Sequence, residues 1–309
     1  ELCRQAELLL KIKEPLKQEY NLFRPEQVLF TFFHFASNRE LTETMLNTGV
    51  TSIAYETVET DRGALPLLKP MSEIAGKMGP IVAANCLAKP AGGKGVLMSA
   101  INNIEPARFL ILGGGNAGRA AATNALGMGT AVTLLENNAE HVLELKRLFP
   151  KAACRLSTPE TIAAEVIKAD AVIGTVHIPG KRAPMLITRE MIRSMEPGSV
   201  VVDIAIDQGG CFETSRPTSH SQPTYTDEDV IHYCVTNMPG VFPRTATAAL
   251  TEATLAYVQL LADNGIQALS NKALLRGLNT YNGKLTNRGV AQAHGLTFTP
   301  PEEALRSGG

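Results

Sequence analysis

A glycine-rich turn constrains the fold of this chain more than any other feature. Gly113, Gly115 and Gly118 follow the apolar run 107–112 and lead into a stretch of small residues. The first glycine allows a tight turn, the second lets a bound phosphate group approach the backbone, and the third lets the helix pack against the strand. The pattern predicts a strand, a turn and a helix, as found in doubly wound α/β domains.

An acidic residue ends the next strand-like run. The apolar residues 131–135 lead directly into Glu136, and Asn116 and Ala117 open the helix after the glycine turn. The free N–H groups at a helix start bind phosphates. A carboxylate at this point accepts hydrogen bonds from ribose hydroxyls and repels a 2′-phosphate, so we expect NAD rather than NADP. The alternative is an ordinary strand-to-helix turn with Glu136 at a solvated strand end.

Composition excludes several classes of protein. The 309 residues suggest two domains or one large one, and a hydrophobic content of 44% is ample for a core. The net charge of −1 without a basic stripe argues against nucleic-acid binding. No apolar run is long enough to span a membrane, and no leader pattern is visible. The 6 histidines form no metal-spaced pair, so no metal site is expected.

The 5 cysteines are scattered without metal-ligand spacing, which predicts reduced thiols in a cytoplasmic protein. Cys211, beside a Gly-Gly turn, is the one to examine for reactivity, although a buried, inert thiol is the expectation.

Strand-like and helix-like runs alternate along the chain, which predicts parallel sheets. In the first part, strands are expected over 8–13, 28–34 and 51–57, and helices over 40–47 and 71–87, the latter kinked or broken at Pro80. In the middle part, strands are expected over 107–112, 131–136, 170–176, 198–206 and 232–237, and helices over 116–128, 138–148, 158–168 and 187–195. A helix over 245–264 and a turn-rich connection over 278–285 follow.

Four polar residues stand at or just beyond the ends of these apolar runs: Lys13, His34, Asp207 and Asn237. Ligands bind beyond the carboxyl ends of strands in open parallel sheets, so these residues are candidates for a site. A histidine suits proton transfer near neutral pH. Each residue has an ordinary alternative: a surface lysine, a structural histidine among phenylalanines, and turn formation by the aspartate and the asparagine.

Six motifs, in order over nearly the whole chain, are similar to those of the alanine dehydrogenase family. They occupy residues 10–15 (LKIKEP), 31–34 (TFFH), 54–57 (AYET), 70–73 (PMSE), 203–210 (DIAIDQGG) and 237–240 (NMPG). The resemblance implies reversible conversion of L-alanine, NAD⁺ and water into pyruvate, ammonium and NADH. It also implies a homo-hexamer, while the charge and the apolar runs already argued against nucleic-acid and membrane partners.

The same resemblance implies two domains. A discontinuous α/β substrate domain would comprise residues 1–66 and 244–309. A doubly wound, parallel-sheet NAD-binding domain with a linker helix would comprise residues 67–243.

Roles for individual residues follow from the resemblance. His34 would be the acid and base near the pyruvate carbonyl, and Lys13 would bind and polarise the substrate oxygen. Asp207 would assist proton transfer around the carbinolamine and imine, and Asn237 would line the substrate and nicotinamide site. The implied cofactor contacts are Ser72, Gly113, Gly115, Asn116, Ala117, Gly118, Glu136, Val176, His177, Ile206, Asp207, Asn237 and Met238.

The sequence departs from the family pattern in three ways. Glu136 stands where the family more often has aspartate, and His177 where it usually has an apolar residue. Family members also have an earlier segment whose arginine clamps the substrate carboxylate, and this sequence begins after it, at Glu1. We therefore expect a folded cofactor domain but weak or absent substrate binding by these residues alone.

Two other functions remain compatible with the sequence. One is a transhydrogenase-like NAD(H)-binding subunit, which has the same fold but needs no acid and base for a carbonyl. The other is a non-catalytic NAD-binding remnant.

Overall fold

The computed structural model describes residues 2–176, 178 and 182–306, which form parts of two compact units. Unit 1 comprises Glu1–Pro70, Ile178–Arg182 and Thr247–Gly309. Unit 2 comprises Met71–His177 and Ala183–Ala246. Within the described ranges, no helix has the length and apolar character needed to cross a membrane.

The elements follow one another in a regular order. The chain starts with α1 (Leu2–Gln5), β1 (Leu8–Leu10), β2 (Val28–Thr31), α2 (Arg39–Thr48), β3 (Thr51–Ala54) and α3 (Lys69–Leu87). The middle part contains β4 (Arg108–Leu112), α4 (Asn116–Gly127), β5 (Ala131–Glu136), α5 (Ala139–Leu148), β6 (Ala153–Leu156), α6 (Pro159–Val166), β7 (Ala171–Gly174), α7 (Arg189–Arg193), β8 (Val200–Asp203), β9 (Thr224–Asp227) and β10 (Val230–Tyr233). The last part contains α8 (Pro243–Asn264), α9 (Lys272–Gly277), β11 (Leu278–Tyr281), β12 (Lys284–Leu285), α10 (Arg288–His294) and α11 (Pro301–Arg306).

Unit 1 is built on a five-stranded sheet with the order β1-β2-β3-β11-β12. Strands β1, β2 and β3 are parallel, and β11 pairs antiparallel with both β3 and β12. The interpretation of 278–285 as a turn-rich connection was wrong, because it is a β-hairpin of this sheet. Asn282 and Gly283 have φ of 46° and 75°, which suits the tight turn of a two-residue hairpin.

Unit 2 is built on a seven-stranded sheet with the order β6-β5-β4-β7-β8-β10-β9. All pairs are parallel except β9 with β10. The strand order reverses between β4 and β7, which is the point where ligands bind in doubly wound folds. The expected α/β fold class, with a doubly wound parallel sheet, is confirmed. The strands β6 and β9 were not predicted: only one of the four residues of β6 is buried, and the residues of β9 (TYTD) are exposed or half-buried and form no apolar run.

Several strands end earlier than their apolar runs suggested. The runs 28–34 and 232–237 were expected to be strands throughout, but β2 ends at Thr31 and β10 at Tyr233. The backbones of His34 and Asn237 are left-handed, with φ of 52° and 54°, which ends any extended conformation.

Four other strands also end before their apolar runs do. They end at Leu10 in the run 8–13, at Ala54 in 51–57, at Gly174 in 170–176 and at Asp203 in 198–206. The break expected at Pro80 is absent, since α3 runs continuously from Lys69 to Leu87 with Pro80 buried inside it.

Candidate functional site

The glycine turn of unit 2 has the local geometry expected from its sequence. Gly113 has a φ of 99°, which favours glycine. A Cβ on Gly118 would collide with the carbonyl oxygen of Gly113, so only glycine allows this approach of α4 to β4. A Cβ on Gly115 would meet no atom within 4 Å. The turn therefore leaves open space beside the start of α4.

The start of α4 is suited to an anion. Gly115 is the residue before the helix and offers no side-chain cap to its N–H groups, and the first turn carries no acidic residue. Uncapped N–H groups and the helix dipole together attract phosphate. Asn116 and Ala117 are the first two residues of this helix.

Glu136 is oriented by two backbone groups of unit 2. Its Oε2 accepts a hydrogen bond from the Gly114 N–H at 2.8 Å, and its Oε1 accepts one from the Asn138 N–H at 3.0 Å. A carboxylate accepts about four hydrogen bonds, so both oxygens keep capacity for ribose hydroxyls.

Two residues that the sequence did not single out hold the glycine turn. The Nε of Arg119 donates to the Gly114 carbonyl at 2.9 Å, and its other two nitrogens bind Glu144, each at 2.8 Å. The Thr175 hydroxyl lies 2.7 Å from the Leu112 carbonyl and 3.0 Å from that of Gly113. Arg119 directly follows Gly118 in the sequence, so its position beside the glycine turn could have been inferred from the motif.

Asp203 organises the segment after β8. Its fully buried carboxylate accepts hydrogen bonds from the Ala205 N–H at 3.0 Å, the Cys211 N–H at 3.0 Å and the Ser215 hydroxyl at 2.6 Å. Burial raises the pKa of Asp203 to about 6, although these hydrogen bonds oppose the rise. The segment held in this way, Ile204–Gln208, carries Asp207.

Asp207 and Asn237 lie together in unit 2. The two carboxylate oxygens of Asp207 accept from the Asn237 N–H at 3.2 and 3.1 Å. Their chain neighbours Ile206 and Met238 are buried. The structure therefore brings together two of the four strand-end residues selected from the sequence.

Lys13 and His34 lie together in unit 1. The Lys13 Nζ is 3.3 Å from the His34 Nε2. The Thr31 hydroxyl, at the end of β2, donates to the Lys13 carbonyl at 3.1 Å and so ties the two chain segments together. The His34 ring also lies nearly parallel to the Phe32 ring, with centroids 6.1 Å apart.

Glu56 fixes the backbone that carries the histidine. This buried carboxylate accepts from the His34 N–H at 2.7 Å and from the Phe33 N–H at 3.1 Å. A residue in the left-handed conformation needs such support from its surroundings. Glu56 belongs to the motif 54–57, which was noted in the sequence, but the sequence alone suggested no role for it.

Two family models match consecutive parts of the chain. The family model "Alanine dehydrogenase/PNT, C-terminal domain" matches residues 79–288, and "Alanine dehydrogenase/PNT, N-terminal domain" matches residues 1–75. An alanine dehydrogenase of Methanococcus maripaludis is 49% identical over 304 residues, which cover 97% of this chain and 82% of the relative.

The chain belongs to the alanine dehydrogenase family.

Solved structures agree with membership of the alanine dehydrogenase family. An L-alanine dehydrogenase has a TM-score of 0.85 and 45% identity, covering 94% of this chain and 81% of that one. A transhydrogenase from Sinorhizobium meliloti has a TM-score of 0.72 at 24% identity, covering 93% of this chain and 81% of that one. The second likeness concerns the fold alone.

Three further residues that the alanine dehydrogenase resemblance implies, and the separately noted Cys211, have the following positions. Ser72 is half-buried in the first turn of α3, and Val176 is half-buried just after β7. His177 lies outside the described residues. Cys211 is fully buried, and its thiol lies 3.7 Å from Asp203. Burial raises the pKa of this thiol well above its ordinary value, in agreement with an inert cysteine.

Proposed function

We propose that the protein catalyses the reversible, NAD-dependent oxidative deamination of L-alanine to pyruvate and ammonium. The contact between Lys13 and His34 carries this proposal, because it joins a cationic group to a group that transfers protons. The relatives of this chain that are named alanine dehydrogenase support the choice of substrate.

Lys13 and His34 have complementary roles at the substrate oxygen. The Lys13 ammonium stabilises the negative charge that develops on the carbonyl oxygen of pyruvate or on the carbinolamine oxygen. His34 gives a proton to this oxygen in the amination direction and removes it in the deamination direction. The hydrogen bonds to Glu56 hold the His34 backbone while the ring exchanges its proton.

Asp207 handles the second proton transfer. Its carboxylate accepts a proton when water or ammonia adds to the substrate carbon, and returns a proton when water or ammonia leaves it. The Asn237 N–H, bonded to both oxygens, restricts the orientation of this carboxylate. A fixed orientation reduces the entropy that must be lost on reaching the transition state.

The residues around the glycine turn are suited to NAD. Asn116 and Ala117 would hold the pyrophosphate at the start of α4, and Glu136 would hold the adenosine ribose. The open space at Gly115 allows a phosphate to approach the backbone. When bound, NAD supplies the two-electron acceptor for alanine oxidation. We propose that the remaining predicted cofactor contacts, among them Ser72, also bind NAD.

We extend the proposal to the oligomeric state and the cellular location of the protein. It acts as a homo-hexamer, as the family resemblance implies, and in the cytoplasm, as the scattered cysteines without metal-ligand spacing indicate. Analytical ultracentrifugation of the full-length protein tests the assembly: a species of six subunits supports it, and a monomer or dimer at micromolar concentration contradicts it.

A steady-state assay tests the reaction. The full-length protein is expected to oxidise NADH only when pyruvate and ammonium are both present, and to form NADH from NAD⁺ and L-alanine. A transhydrogenase-like subunit would instead exchange reducing equivalents between two nucleotides without alanine. A non-catalytic protein would bind NADH and turn over neither set of substrates.

A further inference from the structure

We propose that His220 is a positioning residue, which holds the backbone of Asn237 and thereby orients the carboxylate of Asp207. The catalytic part of this inference rests on the proposed function. The structural part concerns a hydrogen-bonded chain of three residues in unit 2 and stands independently of the reaction.

Both peptide groups of Asn237 are held by neighbours. On one side, its N–H donates to the two carboxylate oxygens of Asp207 at 3.2 and 3.1 Å. On the other side, its carbonyl oxygen accepts from the Gly240 N–H at 2.9 Å and lies 3.2 Å from the His220 Nε2. A carbonyl oxygen can only accept, so the His220 Nε2 carries the proton in this contact.

The conformation of Asn237 is one that this support stabilises. Its φ of 54° and ψ of 49° are left-handed, a region that asparagine adopts more readily than most residues but less readily than glycine. Removal of a partner from the carbonyl favours a return to an extended backbone. That rotation would turn the N–H away from Asp207 and release the carboxylate.

The loop that carries His220 is joined to the chain leading to Asn237. The Thr218 N–H donates to the Cys234 carbonyl at 2.9 Å, and the Thr236 N–H donates to the Thr218 carbonyl at 3.3 Å. These bonds bring the loop alongside residues 234–236. His220 itself is exposed, so its substitution removes the contact with Asn237 without opening a cavity in the core.

Three variants test the positioning role by kinetics. His220→Ala is expected to lower kcat for pyruvate amination about three- to tenfold, the size expected from one lost hydrogen bond, with the melting temperature lowered by at most a few degrees. His220→Gln, whose amide can donate to the same carbonyl, is expected to recover most of kcat. Ser221→Ala is the matched control, because this exposed neighbour contacts Ser219 rather than Asn237.

Hydrogen exchange gives a readout that needs no catalytic activity. In His220→Ala, the amide of Asn237 is expected to exchange several-fold faster, while amides of β4 and β5 keep their wild-type rates. Unchanged exchange at Asn237, or a kcat within twofold of wild type, would overturn the inference. Faster exchange in a protein that never oxidises alanine would support the positioning role and contradict the proposed function.

Discussion

The Nζ of Lys13 lies 3.3 Å from the Nε2 of His34 in unit 1. If the lysine is charged, it donates and the ring nitrogen accepts, which puts the ring proton on Nδ1. That Nδ1 is buried and has no hydrogen-bond partner among the residues that the structure describes. In this arrangement a positive charge lies beside a neutral imidazole, whose Nε2 is the nitrogen able to accept a proton.

Removal of either member of this pair should abolish most of the activity. His34→Ala and Lys13→Ala are each expected to lower kcat at least about a hundredfold, the usual contribution of acid–base catalysis. NADH binding, measured by fluorescence titration, should stay within about threefold of wild type. Lys11→Ala is the matched control, because Lys11 pairs with Glu19 at 2.8 Å and not with His34. Near-normal turnover in His34→Ala would remove the basis of the assignment.

Glu56 should matter for both stability and turnover. Glu56→Ala leaves the N–H groups of Phe33 and His34 without their acceptor, which should cost about 1–3 kcal/mol of unfolding free energy. Glu56→Gln keeps one oxygen and is expected to cost less stability while still lowering kcat. Urea denaturation and steady-state kinetics measure the two effects. A Glu56→Ala protein with wild-type stability and turnover would contradict this role.

Two glycines of α4 should respond to alanine in opposite ways. In Gly118→Ala, the new Cβ collides with the Gly113 carbonyl, so we expect a loss of about 1–3 kcal/mol and much weaker NADH binding. In Gly127→Ala, nothing lies within 4 Å of the new Cβ, and a helical alanine should add about 0.5–1 kcal/mol. Thermal unfolding and NADH titration compare the two. Equal effects would show that the close packing at Gly118 is unimportant.

Glu136 should determine the choice between the two nicotinamide cofactors. Glu136→Gln keeps the size of the side chain but removes the charge that repels a 2′-phosphate. The ratio of kcat/KM for NADH to that for NADPH is expected to fall about tenfold, which corresponds to 1.4 kcal/mol. Glu140→Gln, an exposed neighbour on α5, should leave the ratio within twofold. An unchanged ratio in Glu136→Gln would mean that another residue selects the cofactor.

Asp203 should make stability depend on pH in an unusual direction. Its pKa rises from 3.8 to about 6 on folding, so the folded protein keeps a proton that the unfolded chain releases between these values. The contribution of Asp203 to unfolding free energy therefore falls as pH rises through this window. Asparagine does not titrate, so from about pH 5 to pH 7 Asp203→Asn should gain about 1 kcal/mol relative to wild type. Urea titrations at both pH values measure this change, and a constant difference contradicts it.

The sequence predicted the central strands well, because each buried strand is a continuous apolar run. Strands β4, β5 and β7 were expected and are present, with β4 and β5 close to their predicted bounds. The edge strand β6 was missed because only Cys154 in it is buried. A strand with so few buried residues has no continuous apolar run by which it could be predicted.

The candidate site could be predicted only in part. His34 and Asp207 were selected because each lies beyond an apolar run, and each proved to have a second selected residue as its neighbour. Residues that hold the backbone of the site, such as Glu56 and His220, were not recognised from the sequence. They act through backbone groups that are far apart in the sequence, and only the fold brings them together.

The proposed reaction is tested most directly by following the hydrogen on Cα of alanine. L-Alanine deuterated at Cα is incubated with the full-length protein and NAD⁺, and the reduced cofactor is analysed by mass spectrometry. One deuterium is expected in each NADH formed, together with an equal amount of pyruvate. Unlabelled NADH, or no NADH from a protein that binds NAD⁺, would contradict the proposed reaction.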